Sequence, residues 1–480
     1  MPEIFIDGRP VQAERSQTVL EAALANGFDI PYFCWHPALS VAGNCRICAV
    51  QIEGRSWAEI ACNMPASEGL RVLTDSEVVR EYRKSIMQLL TLNHPVDCGI
   101  CDKAGECKLQ DYHYRYNGEP SLSADAKVRA TKFHALSERI VLDNERCILC
   151  SRCVRFTREI SKSNALGIVR RGDQSLVRAA EDRPLDADPY SDNVVDLCPV
   201  GALLSRSFLY KARVWYLEAT RSVCPGCARG CNVQIWHRKA EWKLNALDPR
   251  LNARIERVTP LENREVNGSW ICNKGRDLAA IFERPRALQA TRNGQPVDLE
   301  TAVDSARGLL AVARHPVALV SSWGSNEELE SFSRTLGSRV AAVVKQDWTP
   351  VPGERLDDDL LIRADKNPNG AAARALFPRA DDPSQPLAPN TDLVLVWGEG
   401  FDFGRVPQGA KTVVLDAYLH PESARADVFI PISIQTERRG HYTNFEGVVS
   451  AFEPCCDKPA TVADAEALFA ALAMAEEVRA

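Results

Sequence analysis

No apolar run in this sequence reaches the roughly 18 residues that a membrane-spanning helix needs, so any membrane role is expected to come through partner subunits. Positive charge is in deficit. Lys and Arg number 58 against 64 Asp and Glu, and the net charge of -6 argues against nucleic acid as a partner. The opening residues, MPEIFIDGRP, lack a basic stretch followed by an apolar one, so no secretory signal is expected. The cysteines are then expected in a reducing compartment, as free thiols or metal ligands rather than disulfides. Internal repeats and low-complexity tracts are absent, as are paired carboxylates, a Ser/His arrangement and a phosphate loop. Gly398-Glu399-Gly400 follows a strand-like run but lacks the third glycine and the helix pattern of a dinucleotide fingerprint. It reads as a strand–loop connection, with nucleotide binding as the alternative. The rest is ordinary globular composition, 45% hydrophobic and 25% charged, in a 480-residue chain long enough for several domains.

Cysteine, by contrast, is abundant and patterned. Fifteen of the 17 cysteines fall into four groups. The first is Cys34, Cys45, Cys48 and Cys62. The second is Cys98, Cys101 and Cys107, with His94 four positions before Cys98. The third is Cys147, Cys150 and Cys153, completed much later by Cys198-Pro199. The fourth is Cys224, Cys227, Cys231 and Cys272. Several thiolates on one tight loop bind soft metals, and these spacings suit iron–sulfur clusters. A zinc site is the alternative for the first two groups, since one histidine with three cysteines is also an acceptable zinc set. His36 reads as a neighbour of the first group, where four cysteines already suffice. Cys455 and Cys456 are adjacent, pair with nothing else, and read as spare thiols.

Local patterns place these groups on a scaffold. Glu3–Ile6 and Val11–Ala13 flank Asp7-Gly8, a hairpin signal. Thr18 and Glu21 predict a capping box on a helix running to Ala25 and stopped by Asn26-Gly27. Hairpin, helix, then cysteine loop suits a β-grasp ferredoxin. A second helix is predicted over Glu77–Leu92 from Val78, Tyr82, Ile86 and Leu89, and it delivers the chain to His94. Residues 98–220 show little periodicity, as expected of ligand loops held by metal bonds as much as by a core. Residues 174–193 read as a surface loop, and 214–275 as a compact segment. Beyond them Val317–Val320, Val340–Val344, Leu393–Trp397 and Thr412–Leu415 read as buried parallel strands, with a long loop at 351–390. Arg146, Arg152, Arg155 and Arg158 either put positive charge beside the third group or form a solvated face.

The cysteine motifs carry a family resemblance. The spacing Cys34-x10-Cys45-x2-Cys48-x13-Cys62, within IPYFCWHPALSVAGNCRICAVQI, resembles the [2Fe-2S] domain of the large iron–sulfur subunit of respiratory complex I. His94-x3-Cys98-x2-Cys101-x5-Cys107 resembles a [4Fe-4S] centre of that family with one histidine ligand. Such centres occur also in iron-only and NAD-reducing hydrogenases. In two-cluster ferredoxins the Cys-Pro cysteine serves the other cluster. With one triplet here, Cys198 is expected to close the same cubane as Cys147, Cys150 and Cys153. VCPGCARGC at 223–231 and SWICNKGR at 269–276 resemble the [4Fe-4S] head of molybdopterin-dependent oxidoreductases. Gly324–Glu328 and Thr436–Gly447 also resemble the complex I subunit. About 200 residues follow the head, and none of residues 273–454 is a cysteine that could ligate molybdenum.

The resemblance implies an α/β multidomain chain. Its expected domains are a β-grasp [2Fe-2S] domain at 1–77, a [4Fe-4S] domain with one histidine at 78–117, a ferredoxin-like [4Fe-4S] domain at 118–213, a molybdopterin-type [4Fe-4S] head at 214–277, and a shortened, degenerate α/β domain at 278–480. It implies one [2Fe-2S] and three [4Fe-4S] clusters, no molybdenum and no flavin. The ligand sets implied are those of the four groups above, with no catalytic residue of the chain's own. Partners would be a flavin- and NADH-binding subunit and other hydrophilic subunits, with a membrane arm reached indirectly. The chain would lie on the cytoplasmic side of the inner membrane as a peripheral part of an NADH:quinone oxidoreductase. The alternatives are the equivalent subunit of a soluble NAD-linked formate dehydrogenase, hydrogenase or other reductase, and a multi-zinc scaffold with no redox role. An iron-only hydrogenase catalytic subunit is disfavoured, because its further cysteine motifs are absent.

Overall fold

The computed structural model describes residues 1–132, 134–239, 255–346, 357–420 and 424–473. These divide into two compact units, Met1–Tyr216 and Leu217–Ala480.

The first unit opens with the predicted hairpin, β1 (Glu3–Ile6) and β2 (Arg9–Gln12), turned at Asp7 and Gly8, both left-handed. The capping box is present. Thr18 accepts from the Glu21 N–H, the Glu21 carboxylate accepts from the Thr18 N–H, and α1 (Val19–Ala25) ends at Asn26. With β3 (Ala49–Ile52), β4 (Ala58–Ile60) and β5 (Arg71–Leu73) the hairpin forms a sheet in the order β2-β1-β5-β3-β4. β1 and β5 run parallel, as in a β-grasp. Ile4, Ile6, Val19, Leu20, Ile30, Val50 and Val72 are buried between sheet and helix. Each such side chain contributes about 1.5–3 kcal/mol on burial.

α2 (Glu77–Asn93) begins at its Ser76 cap and delivers the chain to His94. Its buried stripe is Val79, Arg83, Met87 and Thr91, one position on from the predicted Val78, Tyr82 and Ile86 and two from Leu89, which is exposed. A buried arginine hides this stripe from an apolar count. Arg83 donates to the carbonyl of Ala49, next to Cys48. The cysteine-bearing remainder holds α3 (Lys108–Tyr116), α4 (Arg152–Glu159) and α5 (Asn193–Leu197) between short strands. Residues 174–193 are not a surface loop throughout. Leu176–Ala179 pairs with Leu166–Val169, and Leu185 and Tyr190–Asn193 are buried, because this segment packs the approach to Cys198.

In the second unit Leu217–Val223, Asn232–Arg238 and Ile255–Pro260 form an antiparallel sheet carrying the fourth group. Residues 240–254 of the expected compact segment lie outside the described residues. A seven-stranded sheet follows. Four of its strands, Pro316–Val320, Ala341–Val344, Leu393–Trp397 and Lys411–Asp416, run parallel as predicted, and Val428–Pro431 adds a fifth. Of the expected long loop, 351–356 lie outside the described residues, and Gly370–Leu376 is helical rather than loop. Among the described residues no helix is long and apolar enough to cross a membrane.

Candidate metal-cluster sites

The cysteine loops of the first and third groups turn through left-handed residues. In the first group Gly43 and Arg46, both left-handed, bracket Asn44-Cys45. Cys34, Cys48 and Cys62 are buried, and the Cys34 N–H points at the Cys45 sulfur at 3.4 Å. The thiols pair, Cys34 with Cys45 and Cys48 with Cys62. Cys45 and Cys48 are held far up, first by that hydrogen bond and then by burial. His36 stands two residues after Cys34. Its Nδ1 accepts the Ala38 N–H, and burial, then Arg152 and Arg155, holds the ring neutral, down to about 4.

In the second group α2 ends at His94, Cys98 opens a tight turn to Ile100, and Cys107 caps α3. His94 Nδ1 is buried with no hydrogen-bond partner. A neutral ring with an orphaned nitrogen is what a metal ligand requires, and burial holds this ring neutral, down to about 4. Burial likewise pushes the Cys107 thiol up to about 11.

At the third group Leu149 and Ser151 are both left-handed, and the Leu149 N–H points at the Cys147 sulfur at 3.4 Å. All four cysteines, Cys147, Cys150, Cys153 and Cys198, line one cavity. Burial raises Cys147 to about 12 and Cys150 to about 11, and the neighbouring thiols add to it. At the fourth group Cys224 donates its N–H to the Cys231 carbonyl at 2.8 Å, and Cys272 caps a helical turn over Asn273–Arg276. Burial raises Cys224, Cys231 and Cys272, and the charges of Cys224, Cys227 and Cys272 add to a neighbour's rise. Gly226 and Gly275 both lie against the Cys224 sulfur, where a Cβ would stand at 3.4 Å.

Thiols raised this way resist ionising alone. A cationic metal offsets both burial and mutual repulsion, so these residues fit groups that bind thiolates. Among the described residues no three such side chains converge on one ion-sized point. At the third group the four cysteines line a cavity instead.

Short contacts stitch the three groups of the first unit together. Arg155 donates to the carbonyls of Cys34 and Cys150, and Arg152 to those of Trp35 and Leu197, next to Cys34 and Cys198. Asn44 Nδ2 reaches the Leu149 carbonyl at 3.1 Å. Between the second and third groups Arg146 grips Asp97 at 3.0 and 2.6 Å; these residues precede Cys147 and Cys98. The Lys108 N–H donates to the Pro199 carbonyl at 3.1 Å, joining the residues after Cys107 and Cys198. First and second groups meet less directly, through Tyr32 and Phe33 against Tyr112. Of the four arginines noted in the sequence, Arg146, Arg152 and Arg155 are buried among the cysteine loops. Arg158 is solvated and pairs with Glu159.

Sequence reasoning missed Gln435. Its Nε2 donates to the carbonyl of Val223, beside Cys224, at 2.6 Å, from 212 residues away. A lone glutamine carries no signal of that role. Cys455 and Cys456 hang their N–H groups on the Thr436 carbonyl and join no group. In the Gly398–Gly400 turn Glu399 pairs with Arg284 through both carboxylate oxygens and lies 2.9 Å from His420 Nε2.

Four family models match the chain. They are a 2Fe-2S iron-sulfur cluster binding domain at residues 2–77, an NADH-ubiquinone oxidoreductase-G iron-sulfur binding region at 83–120, an NADH-quinone oxidoreductase subunit 3 ferredoxin-like domain at 137–204, and a molybdopterin oxidoreductase Fe4S4 domain at 217–283. The chain is 34% identical over 347 residues to NADPH-Fe(3+) oxidoreductase subunit alpha of Geobacter sulfurreducens, covering 71% of this chain and 39% of that protein. It is 36% identical over 359 residues to the NADH-quinone oxidoreductase G subunit of Rickettsia conorii, covering 72% and 51%. To the mitochondrial NADH dehydrogenase [ubiquinone] iron-sulfur protein 1 of Solanum tuberosum it is 37% identical over 284 residues, covering 59% and 36%. A crystal structure of an NAD+-reducing [NiFe]-hydrogenase aligns at 32% identity over 44% of this chain and 91% of that one, with a TM-score of 0.41. The chain thus spans between about a third and half of the length of these curated relatives. It belongs to the family of large iron–sulfur subunits that includes the G subunits of NADH-quinone oxidoreductases.

Proposed function

We propose that this chain is the electron-wiring subunit of an NADH:quinone oxidoreductase, taking electrons from NADH through a flavin on a partner subunit and carrying them toward quinone. The observation that carries this reading is the stitching of the cysteine groups. The third group touches both the first and the second through residues adjacent to the cysteines themselves, which supports a path of three sites with the third in the middle. Cys34, Cys45, Cys48 and Cys62 would hold a [2Fe-2S] cluster. His94 with Cys98, Cys101 and Cys107, Cys147 with Cys150, Cys153 and Cys198, and Cys224 with Cys227, Cys231 and Cys272 would each hold a [4Fe-4S] cluster. Bound there, the clusters supply one-electron acceptors. The chain's own residues fix their spacing, exclude water and set the charge around them.

No molybdenum and no flavin belong to this chain in our reading. Its partners are a flavin-bearing NADH-binding subunit and other hydrophilic subunits, and its place is peripheral, on the cytoplasmic side of the inner membrane. A second reading, a soluble NAD(P)H-coupled reductase, is favoured by one observation. A relative named for NADPH-Fe(3+) oxidoreduction matches 71% of the chain. The subunits that copurify with the chain decide between the two.

The test mixes the purified, cluster-replete chain with NADH, with and without the flavin-bearing partner. Fast bleaching is expected when the partner is present. Equally fast bleaching by NADH alone would overturn the reading and point to a nucleotide site on this chain.

A further inference from the structure

The buried positive charge between the first and third cysteine groups is unbalanced. Arg152 is 5% exposed and Arg155 4%. Arg155 donates to the carbonyls of Ser40, Cys34 and Cys150 and to the Ser151 hydroxyl. Arg152 donates to the carbonyls of Trp35 and Leu197. Every one of these acceptors is neutral, and among the described residues neither guanidinium has a carboxylate partner. The acids on α4 and on the segment leading into α5 are engaged elsewhere. Glu159 takes the Ser40 N–H and hydroxyl and pairs with Arg158, Asp188 takes the hydroxyls of Ser161 and Ser163, and Asp192 pairs with Arg139. The junction between the second and third groups is built differently. There the buried Arg146 meets Asp97 and, at 3.4 Å, Asp143, so its charge is met on the spot.

An unpaired buried charge is costly, and a fold that keeps two of them side by side needs negative charge close by. The surrounding thiols cannot supply it as neutral groups. Thiolate-ligated clusters on either side can.

We propose that Arg152 and Arg155 form one electrostatic clamp shared by the first and third cluster sites. They are positioning residues, pinning the Cys34–Trp35 carbonyls to the Cys150 and Leu197 carbonyls. Their two charges favour the added electron at both sites, which ties the two potentials together. The second site is joined to the third through Arg146, whose charge Asp97 and Asp143 meet, and it is expected to respond least. This inference rests on the reading of the first and third groups as cluster sites, and wild-type iron analysis and EPR test that reading before any variant is made.

The experiment is an EPR-monitored redox titration of the full chain as wild type, Arg155→Gln and Arg155→Lys. Glutamine removes the charge and keeps one hydrogen-bonding end; lysine keeps the charge. In Arg155→Gln the reduction equilibria of the first and third clusters should both shift at least tenfold toward oxidised, about 59 mV for a one-electron couple. The histidine-ligated cluster should stay within twofold of wild type, and Arg155→Lys should recover most of the shift. Unchanged potentials at full iron loading would overturn the clamp, as would a shift confined to one cluster or a lysine variant no better than glutamine. If Arg155→Gln loses either cluster, Arg155→Lys must keep both; loss in both variants would show that the contacts matter and the charge does not.

Discussion

Gly201 packs against the second group from the segment that follows the third, and a single methyl there should disturb one of them selectively. Gly201 lies three residues after Cys198. A Cβ on it would stand 2.3 Å from the Cys101 sulfur, 3.2 Å from Lys103 Cβ and 3.5 Å from Arg146 Cδ. Ordinary van der Waals contact begins at 3.4 Å, so the sulfur or the Gly201 backbone must retreat by about 1 Å. The backbone here is not left-handed, so alanine brings no conformational strain of its own. Overpacking of this kind costs about 1–3 kcal/mol, and the stiffer unfolded chain returns about 0.4–1 kcal/mol. The net loss, up to about 2.6 kcal/mol, lowers Tm in a unit of this size by up to about 10 °C. The sharper readout is spectroscopic. Gly201→Ala should weaken or lose the EPR signal of the cluster on Cys101 while the third cluster, on Cys198, persists. Gly99→Ala is the control, because a Cβ there meets nothing within 4 Å although it sits between Cys98 and Cys101. If Gly201→Ala matches wild type and Gly99→Ala in Tm, iron content and EPR, the packing argument is wrong.

Three further outcomes are expected. His94→Cys should keep the second [4Fe-4S] cluster but lower its potential, since a charged thiolate replaces a neutral imidazole, and His94→Ala should lose it; unchanged EPR potentials in both would make His94 a bystander. Metal analysis should approach about 14 irons per chain, from one [2Fe-2S] and three [4Fe-4S] clusters, with no molybdenum or tungsten even in cells well supplied with either. In the second unit, burial first and the Glu399 charge second hold Asp416 up at about 6, against 3.8 for a free aspartate. The folded state therefore binds the extra proton, and stability from this group is full below about pH 4 and is lost as pH rises through 6. Denaturation across that range should show the fall in wild type and a flatter profile in Asp416→Asn; parallel profiles would refute it.

Chemistry and some local structure were legible in the sequence because both depend on near neighbours. The capping box at Thr18 and Glu21, the Asp7-Gly8 hairpin and the buried runs such as Leu393–Trp397 are decided within a few residues of chain, and each is present in the fold. The cysteine spacings likewise marked four groups of candidate thiolate ligands, and the cluster types followed from the family resemblance those spacings carry. The face of α2 was misread because its buried stripe centres on Arg83, whose burial depends on the Ala49 carbonyl that accepts from it. For the same reason the sequence could not say whether Arg152 and Arg155 were solvent-facing or buried. Only the fold brings the Cys34 loop and the Cys150 loop, over a hundred residues apart in sequence, to the same guanidinium. Spacing along a chain records which residues can share a loop. Which loops share a charge, and so which sites stand next to each other, is decided by tertiary packing, because hydrogen bonds and burial act through space and leave no mark on local sequence.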